Sequence, residues 1–443
     1  MRRGWLIFAQ ALLATIMSLA FLIGCAPSFT ASPVSATGSP LLPTVSVVPR
    51  TATLKRLTLT PITPSATATI PATRTLTPTP TTAPYYKVPK KLNDGWLTAS
   101  VSDVGIDPVK IKQMLGFIYR GGKNGDKLHR SNGTLKFQKI HSILIVKDDR
   151  LVFEEYFYDY SLGNRHDLAS VTKSITSLLV GLAIEQGYIE GVDEKVLSYF
   201  PEYLPLRQPD ERKDGITIED LLTMRHGLAC DDWDPTSVAY HKTNFYTDQP
   251  DLVKATLNLP VEVSPGSQFS YCSASTVVLG AILTKATGMS IAEFAKRCLF
   301  APLGLDITRW GSLLGGWTDT GGDLQMSPRD MARLGLLMLH NGNWNGEQII
   351  PEHWIHQSIQ EHVSLESNQT WGENYGYLWW LSDVPIAGTN VHSFAASGAG
   401  GQVIAIFPDL DMVIVITGGN YDNDEGQPFQ IMQRFILPAV LAP

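Results

Sequence analysis

The chain has 443 residues, of which 44% are hydrophobic and 17% are charged, so its composition suits a folded core and excludes a mostly disordered protein. No Asp or Glu precedes Asp94, whereas nine of the 35 Lys and Arg residues do, which leaves 26 basic against 42 acidic residues and a net charge of about −16 over residues 94–443. Nucleic-acid-binding domains need a basic surface, so this balance argues against a nucleic-acid partner.

Residues 1–25 are predicted to be a lipoprotein signal peptide. Two arginines precede an apolar run over residues 5–23, and the run ends in Leu-Ile-Gly followed by Cys25. This ending resembles a bacterial lipobox, whose cysteine is lipidated after cleavage. An uncleaved transmembrane anchor is the alternative, because it has the same positive start and apolar length. In both cases we expect the remaining chain to be extracytoplasmic and membrane-anchored.

Residues 26–84 are predicted to form a disordered linker. They contain 16 Thr, 6 Ser and 11 Pro in 59 residues, so they bury too little apolar surface to offset the entropy lost on ordering. Proline biases such a segment towards an extended, semi-rigid conformation. We therefore expect a spacer between the membrane and a globular domain over residues 85–443.

The globular domain is predicted to open with a helix and a hairpin. Asp107-Pro108 begins a helix that runs to about Tyr119, with proline at the first helical position. Residues 143–147 and 150–157 are rich in β-forming residues, and Asp148-Asp149 separates them. This pattern is typical of two paired strands.

Helices are predicted to dominate the middle of the domain. Residues 170–186 form a long apolar run that Gly187 stops. Capping boxes are predicted at Thr217 and Ser290, and Ser327-Pro328 opens a further helix. The capping boxes and the Ser-Pro pair mark helix starts, so several helices should follow one another here.

A second hairpin and a last helix are predicted near the end, over residues 402–407, 412–417 and 429–440. Strands therefore lie at both ends of the domain, and helices lie largely between them. We expect an α+β fold, in which an antiparallel sheet is flanked by helices. A helical subdomain should be inserted between the N- and C-terminal strands.

Ser170 and Lys173 form an S-x-x-K pattern at the start of the long apolar helix. Residues i and i+3 share a helix face, so the lysine ammonium can reach the serine hydroxyl. Apolar surroundings disfavour the charged lysine and lower its pKa, which lets it serve as a base. The pattern alone is weak, because a serine N-cap with an exposed lysine gives the same letters.

Two further patterns gain weight from their order in the chain. Tyr271-Cys272-Ser273 precedes a helix-like run, and a tyrosine near a cationic lysine loses its proton more readily. A core tyrosine followed by a serine N-cap is the alternative. Residues 396–401, Ala-Ser-Gly-Ala-Gly-Gly, lead into a strand. Their glycines let a substrate approach backbone N–H groups that form an oxyanion hole, or they simply begin the strand.

Together these patterns resemble the serine β-lactamase and penicillin-binding-protein superfamily, in its class C β-lactamase-related branch. This branch includes esterases, D-amino-acid peptidases and nylon-oligomer (6-aminohexanoate-dimer) hydrolases. The resemblance covers about residues 94–417. It also rests on Leu-Val-Phe-Glu-Glu-Tyr at residues 151–156, Ile-Thr-Ile-Glu-Asp-Leu-Leu-Thr-Met at 216–224, Gly-Leu at 227–228, Pro-Gly at 265–266, Pro-Leu-Gly at 302–304 and Gly-Gly-Asp at 321–323.

The resemblance implies a role for each residue of the first two patterns. Ser170 would be the nucleophile and Lys173 its activating partner. Tyr271 would be the acid/base, and Ser273 would be a polar partner of Lys173.

The resemblance assigns the third pattern to substrate and oxyanion binding. Ser397, Gly398 and Ala399 would line the site, and the backbone N–H groups of Ser170 and Ala399 would form the oxyanion hole. The family usually has Lys or His at the first position of this pattern, where this chain has Ala396. That departure puts the recognition of β-lactams and carboxylates in doubt more than it affects acyl-enzyme chemistry.

Other catalytic and metal-binding patterns are missing from the sequence. G-x-S-x-G and H-E-x-x-H do not occur. His353 and His356 have no accompanying carboxylate pattern, so we expect neither a metal nor a cofactor. His226 is expected to be a surface or capping residue. Trp379-Trp380 is as compatible with an acyl pocket as with core packing.

The four cysteines, Cys25, Cys230, Cys272 and Cys298, contain no C-x-x-C pair. We therefore expect no disulfide framework, and a single bridge among the last three is left open. Cys272, beside Tyr271, is expected to pack as a small residue.

Three functions are compatible with these residues. They are a hydrolase for small esters or amides, a D-Ala-D-Ala-type peptidase or β-lactamase, and a non-catalytic penicillin-binding or sensor domain. The complete Ser, Lys and Tyr set argues against the third. We predict a serine hydrolase that forms an acyl-enzyme with a small ester, amide or peptide substrate.

Overall fold

The computed structural model describes residues 86–119, 139–241, 243–306, 309–365, 372–386, 388–421 and 426–440. The predicted signal peptide, its lipidation site Cys25 and the predicted linker lie outside these residues, so they stay predictions.

Fourteen strands occur within the described residues, and nine of them form one sheet. They are β1 (Leu97–Thr98), β2 (Ile140–Lys147), β3 (Arg150–Tyr156), β4 (His166–Asp167), β5 (Arg309–Trp310), β6 (Leu324–Met326), β7 (Asn343–Trp344), β8 (Glu347–Gln348), β9 (Val363–Ser364), β10 (Asn374–Tyr375), β11 (Trp380–Ile386), β12 (Thr389–Gly398), β13 (Gln402–Phe407) and β14 (Met412–Gly418). The large sheet has the order β1-β3-β2-β14-β13-β12-β11-β10-β9. Two small sheets have the orders β4-β6-β5 and β7-β8.

The two predicted hairpins lie side by side in the large sheet. Strand β14 pairs antiparallel with β2, so strands from the two ends of the domain meet at its centre. The predicted antiparallel sheet is confirmed for its other strand pairs, and one edge differs, where β1 pairs parallel with β3. A parallel pair requires a crossover connection, and the helix over Pro108–Tyr119 lies in that connection. The sheet is therefore mixed.

The α-helices of the described residues are α1 (Pro108–Tyr119), α2 (Val171–Glu185), α3 (Ile218–Leu222), α4 (Phe245–Asp248), α5 (Leu252–Leu257), α6 (Ser273–Thr287), α7 (Ile291–Ala295), α8 (Pro328–Leu339), α9 (Glu352–Ser358), α10 (Gln427–Ile431) and α11 (Leu437–Val440). Short 3₁₀ turns cover Val101–Val104, Val196–Tyr199, Pro201–Tyr203, Glu211–Gly215, Leu314–Gly316 and Pro408–Leu410. Helices α2 to α9 fall between β3 and β9 in the chain, which confirms the predicted helical insertion.

Helix boundaries follow the local capping residues. At α3, the Thr217 hydroxyl accepts a hydrogen bond from the Asp220 N–H, and the Asp220 carboxylate accepts one from the Thr217 N–H. Aspartate therefore completes this capping box as glutamate usually does. The predicted last helix is interrupted by a π-helical turn over Met432–Ile436, between α10 and α11. A second π-helical turn, Lys296–Phe300, follows α7.

The core lies on both faces of the large sheet. Every residue of β13 and β14 is buried, and a strand covered on both faces shows a continuous apolar run instead of alternation. Helix α1 and the C-terminal helices pack against one face of the large sheet, and their apolar side chains form a single cluster with those of the strands. Helices α8 and α2 contact the central strands from the insertion. The sheet and α2 thus form the frame that carries the site.

Among the described residues, no single helix has the length and apolar composition to span a membrane. One bent pair, Ser273–Thr287 with Ile291–Phe300, passes that test jointly, with an angle of 76° between its members. Helix α6, the first of the pair, is buried over most of its length.

Candidate active site

Ser170 lies at the N-cap of α2, directly after the short strand β4. Its side chain makes no capping hydrogen bond to the helix, and Ala169 before it has a φ of 46°, in the left-handed region. A Cβ added at Gly398 would lie 2.3 Å from the Leu168 carbonyl oxygen and 3.0 Å from the Ser170 nitrogen. Only glycine therefore lets the end of β12 lie against the start of α2.

Lys173 lies one helical turn after Ser170 and is 1% exposed. Its Nζ donates hydrogen bonds of 2.8 Å to the Ser170 hydroxyl oxygen and 2.8 Å to the Gly321 carbonyl oxygen. Burial lowers the pKa of Lys173 to about 8, although the charges of Asp232 and Asp319 act in the opposite direction. A lysine with such a pKa can accept the serine proton near neutral pH.

Tyr271 is 6% exposed and lies in an aromatic cluster beside Lys173. The Lys173 Nζ is 5.2 Å from the centre of the Tyr271 ring. The Trp233 ring stacks on the Tyr271 ring at 4.5 Å and an angle of 4°, and the Trp380 ring lies 5.7 Å from it. The aromatic cluster thereby fixes the plane of the tyrosine ring.

Ser273 contacts an acidic residue that sequence reasoning missed. Its hydroxyl donates a 2.6 Å hydrogen bond to Asp232 Oδ2, and its backbone N–H donates a 3.0 Å bond to the same oxygen. The hydrogen bonds of Lys173 go instead to Ser170 and Gly321. The hydroxyl of Ser273 is thus directed to Asp232, and its role as a polar partner of Lys173 stays a prediction.

A second acidic residue, Asp319, also acts on Lys173 through its charge. Tyr246 donates a hydrogen bond from its hydroxyl to Asp319, and burial raises the pKa of both side chains. A Cβ added at Gly321 would lie 2.7 Å from the Tyr246 hydroxyl oxygen and 2.9 Å from the Ser273 carbonyl oxygen. The Gly-Gly-Asp motif at residues 321–323 therefore places a carbonyl oxygen on Lys173 where a side chain would not fit.

The third pattern lies at the end of β12, and its residues Ser397, Gly398 and Ala399 line the same site. Ser397 is buried, and its hydroxyl has no hydrogen-bond partner among the described residues. Ala396 pairs with Ile404 and is 1% exposed, and it does not line the cavity. Successive strand residues point to opposite faces, so Ser397, and not Ala396, presents its side chain to a substrate.

These side chains surround an open cavity of about 300 Å³. Its lining residues are Ser170, Asp232, Trp233, His241, Tyr271, Ser273, Trp380, Ser397, Gly398 and Ala399. All seven predicted site residues therefore lie together, with Lys173 buried beneath the cavity and the other six in its wall. Trp380 also lines it, whereas Trp379 is buried and packs edge-on against Phe394.

The structure decides two alternatives left open near the site. Cys272 is buried and forms with Cys230 the single bridge that the sequence left open. His226 is fully buried, so it is no surface residue, and it takes the capping role instead. Its ring accepts a hydrogen bond from the Leu228 N–H and lies 3.1 Å from the Ser270 carbonyl oxygen, so it connects two loops.

No cluster of three or more His, Cys, Asp or Glu side chains is placed to hold a metal ion within the part of the chain that the structure describes. His356 lies beside Glu352 at 3.9 Å in an exposed pair. The titratable or nucleophilic side chains at the cavity are Ser170, Tyr271, Asp232, Ser273, His241 and Ser397, with Lys173 hydrogen-bonded to Ser170.

Comparisons with known proteins agree with this site. The 6-aminohexanoate-dimer hydrolase of Paenarthrobacter ureafaciens is 27% identical over 293 residues, which are 62% of this chain and 71% of that protein. A penicillin-binding protein homologue from Caulobacter crescentus has a TM-score of 0.56 at 17% identity, over 76% of this chain and 99% of its own. The hydrolase EstCE1, which has promiscuous acyltransferase activity, has the same TM-score and identity, over 77% of this chain and 100% of its own.

The two solved structures support the fold alone at this level of identity. A family model described as Beta-lactamase matches residues 141–428, which is more than half of the chain and includes every residue of the cavity wall. The chain therefore belongs to the Beta-lactamase family, within the serine β-lactamase and transpeptidase superfamily.

Proposed function

We propose that the protein is a class C β-lactamase-related serine hydrolase that cleaves small, neutral esters or amides through an acyl-enzyme on Ser170. The observation that carries the proposal is the 2.8 Å hydrogen bond between the buried Lys173 ammonium nitrogen and the Ser170 hydroxyl oxygen. A lysine whose pKa is lowered to about 8 is a base matched to a serine nucleophile at neutral to mildly alkaline pH.

In the first half of the reaction, the neutral Lys173 accepts the proton of the Ser170 hydroxyl as its oxygen attacks the substrate carbonyl. The backbone N–H groups of Ser170 and Ala399 are assigned to the oxyanion that forms, since both residues line the cavity. The tetrahedral intermediate then collapses, and the leaving alcohol or amine takes up a proton through Tyr271. The product of this half is an acyl-enzyme.

In the second half, water attacks the acyl carbonyl and the Ser170 oxygen leaves. Tyr271 and Lys173 are assigned as the proton path for both halves, and they are neighbours in the site, with the Lys173 Nζ 5.2 Å from the centre of the Tyr271 ring. The names of the relatives agree with this chemistry, since one hydrolyses an amide dimer and another transfers acyl groups.

The charge of the cavity supports neutral substrates. Its described wall contains Asp232 and no Lys or Arg. A substrate carboxylate would therefore meet no Lys or Arg in the wall and would face a carboxylate. The imidazole of His241 in the wall has its Nδ1 against the Asp232 carbonyl oxygen. This arrangement favours ester or amide hydrolysis over β-lactamase or D-Ala-D-Ala peptidase activity.

The experiment is active-site labelling of the purified domain with a fluorophosphonate, followed by p-nitrophenyl butyrate hydrolysis. We expect stoichiometric labelling at Ser170 and turnover that labelling abolishes. Absence of both would contradict the proposal. Labelling by fluorescent penicillin with no ester turnover would favour a penicillin-binding function instead.

We further propose that the chain is an extracytoplasmic lipoprotein. The proposal rests on the positive start, the apolar run and the Leu-Ile-Gly-Cys ending at Cys25, followed by a Thr/Pro-rich segment. A lipid on Cys25 would anchor the hydrolase to the membrane.

A further inference from the structure

Asp232 is an acidic residue in the wall of the catalytic cavity, and no part of the reaction described above uses it directly. Its Oδ2 accepts two hydrogen bonds from Ser273, one from the backbone N–H at 3.0 Å and one from the hydroxyl at 2.6 Å. Bonds to a carboxylate from two donors stabilise its ionised form. Asp232 and Ser273 therefore form a charged, hydrogen-bonded pair beside the catalytic residues.

The chain segment over residues 230–233 is held firmly along the segment over residues 270–273. The Cys230–Cys272 disulfide joins the two segments covalently. The Asp232 N–H donates a 2.7 Å hydrogen bond to the Tyr271 carbonyl oxygen, and the Ser270 hydroxyl donates one of 2.7 Å to the Cys230 carbonyl oxygen. Covalent, backbone and side-chain contacts thus fix Asp232 relative to the catalytic tyrosine.

The position of Asp232 matters because its charge acts on Lys173. Two carboxylates act on the buried ammonium: Asp232, which lines the cavity, and Asp319, which accepts a hydrogen bond from Tyr246. Burial raises the pKa of Asp232, as does the neighbouring charge of Asp231, whereas Lys173 and the two Ser273 bonds lower it. Lys173 and Asp232 therefore stabilise each other's charged forms.

We propose that Asp232 is a positioning residue of the active site, which anchors Ser273 and directs its charge at Lys173, so that the lysine remains between Ser170 and Gly321. The inference rests on the serine-hydrolase function proposed above. Asp232 acts through Lys173 and Ser273 and exchanges no proton with the substrate. Removing its charge should alter the pH at which Lys173 becomes an effective base, and a purely structural role would not do so.

The test is the pH profile of kcat/KM for p-nitrophenyl butyrate in the wild-type enzyme and in Asp232→Asn. Asparagine keeps the size of the side chain and an acceptor oxygen for Ser273, but it removes the charge. Losing an opposite charge favours the neutral form of Lys173. The limb of the pH profile on which kcat/KM rises as Lys173 loses its proton should therefore move to lower pH by about one unit. The plateau of kcat/KM should also fall by about tenfold, because Ser273 and Lys173 are held less firmly.

Asp234→Asn is the matched control. It removes the same charge two residues along, where the carboxylate is exposed and accepts hydrogen bonds from the Thr236 N–H and hydroxyl. Its rising limb should coincide with that of the wild-type enzyme. Ser273→Ala is a second variant, and it keeps the test open if Asp232→Asn does not fold. Ser273→Ala removes one hydrogen bond that stabilises the ionised form of Asp232. The rising limb of its pH profile should therefore also move to lower pH, by a smaller amount.

The inference would be overturned if Asp232→Asn and Ser273→Ala both fold and show the same rising limb of the pH profile as the wild-type enzyme. Their kcat/KM would then also lie within twofold of the wild-type value. An equal displacement in Asp234→Asn would overturn it as well, since the effect would then be a general one of charge. The proposed function has its own readout: if the wild-type enzyme neither turns over the ester nor labels at Ser170, that function fails before any variant is compared.

Discussion

The buried ammonium nitrogen of Lys173 lies 2.8 Å from the hydroxyl oxygen of Ser170, and the same nitrogen is held at 2.8 Å by the Gly321 carbonyl oxygen. The S-x-x-K spacing gives the first contact, because both residues share one face of α2. The second contact comes from a loop far along the chain. Lys173 is thereby held as a base beside the nucleophile Ser170, and burial lowers the pKa of Lys173 to about 8.

Lys173→Ala and Tyr271→Phe should each reduce kcat by at least about 10²-fold, the usual contribution of a general acid or base. The double variant should lose much less than the product of the two single losses, because groups that share one proton path act as a unit. Steady-state kinetics on an activated ester measure this. Fully multiplicative losses would show that the two residues act independently.

The Cys230–Cys272 disulfide should stabilise the domain. It joins residues 42 apart in sequence, and the loop-entropy model gives about 4 kcal/mol for a loop of this length. Reduction, or Cys230→Ser with Cys272→Ser, should lower the thermal midpoint by several degrees and decrease activity, because Asp232 and Tyr271 would lose their covalent tie. Thermal unfolding with and without reductant is the measurement.

Cys298→Ser provides the control for that experiment, because Cys298 is buried and lies outside the disulfide. This variant should remain sensitive to reductant. A wild-type midpoint that reductant leaves unchanged would contradict a stabilising role for the disulfide.

Much of the fold followed from local patterns, and the parts that did not follow depend on distant contacts. The strands over residues 143–147 and 412–417 could be predicted because β-forming residues flank a turn in each hairpin. The strand β1 was missed because two residues carry too little pattern. Its parallel pairing is decided by the crossover through α1.

The site residues also fall into two groups, those that local spacing predicts and those that depend on distant contacts. Ser170 and Lys173 are one turn apart, so their contact is readable from spacing. Asp232 was missed because its role depends on residues 230–233 lying along residues 270–273, which the fold and the disulfide decide. Adjacent Asp231-Asp232-Trp233 after a cysteine was the available signal, but it has no spacing rule that leads to Lys173.

Substrate charge should discriminate strongly between candidate substrates. A charge-assisted hydrogen bond contributes about 1.5–3 kcal/mol, so a site without a cation for a substrate carboxylate should bind it about ten- to a hundredfold more weakly. We expect kcat/KM for p-nitrophenyl butyrate to exceed that for a chromogenic cephalosporin. Cephalosporin turnover above about 10⁵ M⁻¹s⁻¹, well within the ordinary enzyme range, would refute this expectation.

The lipoprotein proposal makes a prediction about the mature N-terminus. In a bacterial host with lipoprotein processing, the full chain should begin at a lipidated Cys25, and Cys25→Ser should remain unlipidated. Mass spectrometry of the N-terminal peptide measures both. A mature wild-type chain that still begins upstream of residue 25 would favour an uncleaved anchor.

The most direct test of the account is the activity of Ser170→Ala, measured with the ester on which the wild-type enzyme is most active. The Ser170 hydroxyl makes no helix-capping hydrogen bond, so its loss should leave the thermal midpoint close to that of the wild type. The account predicts that turnover and fluorophosphonate labelling both disappear in the folded variant. Retention of more than a few per cent of wild-type turnover in a clean preparation would contradict Ser170 as the nucleophile.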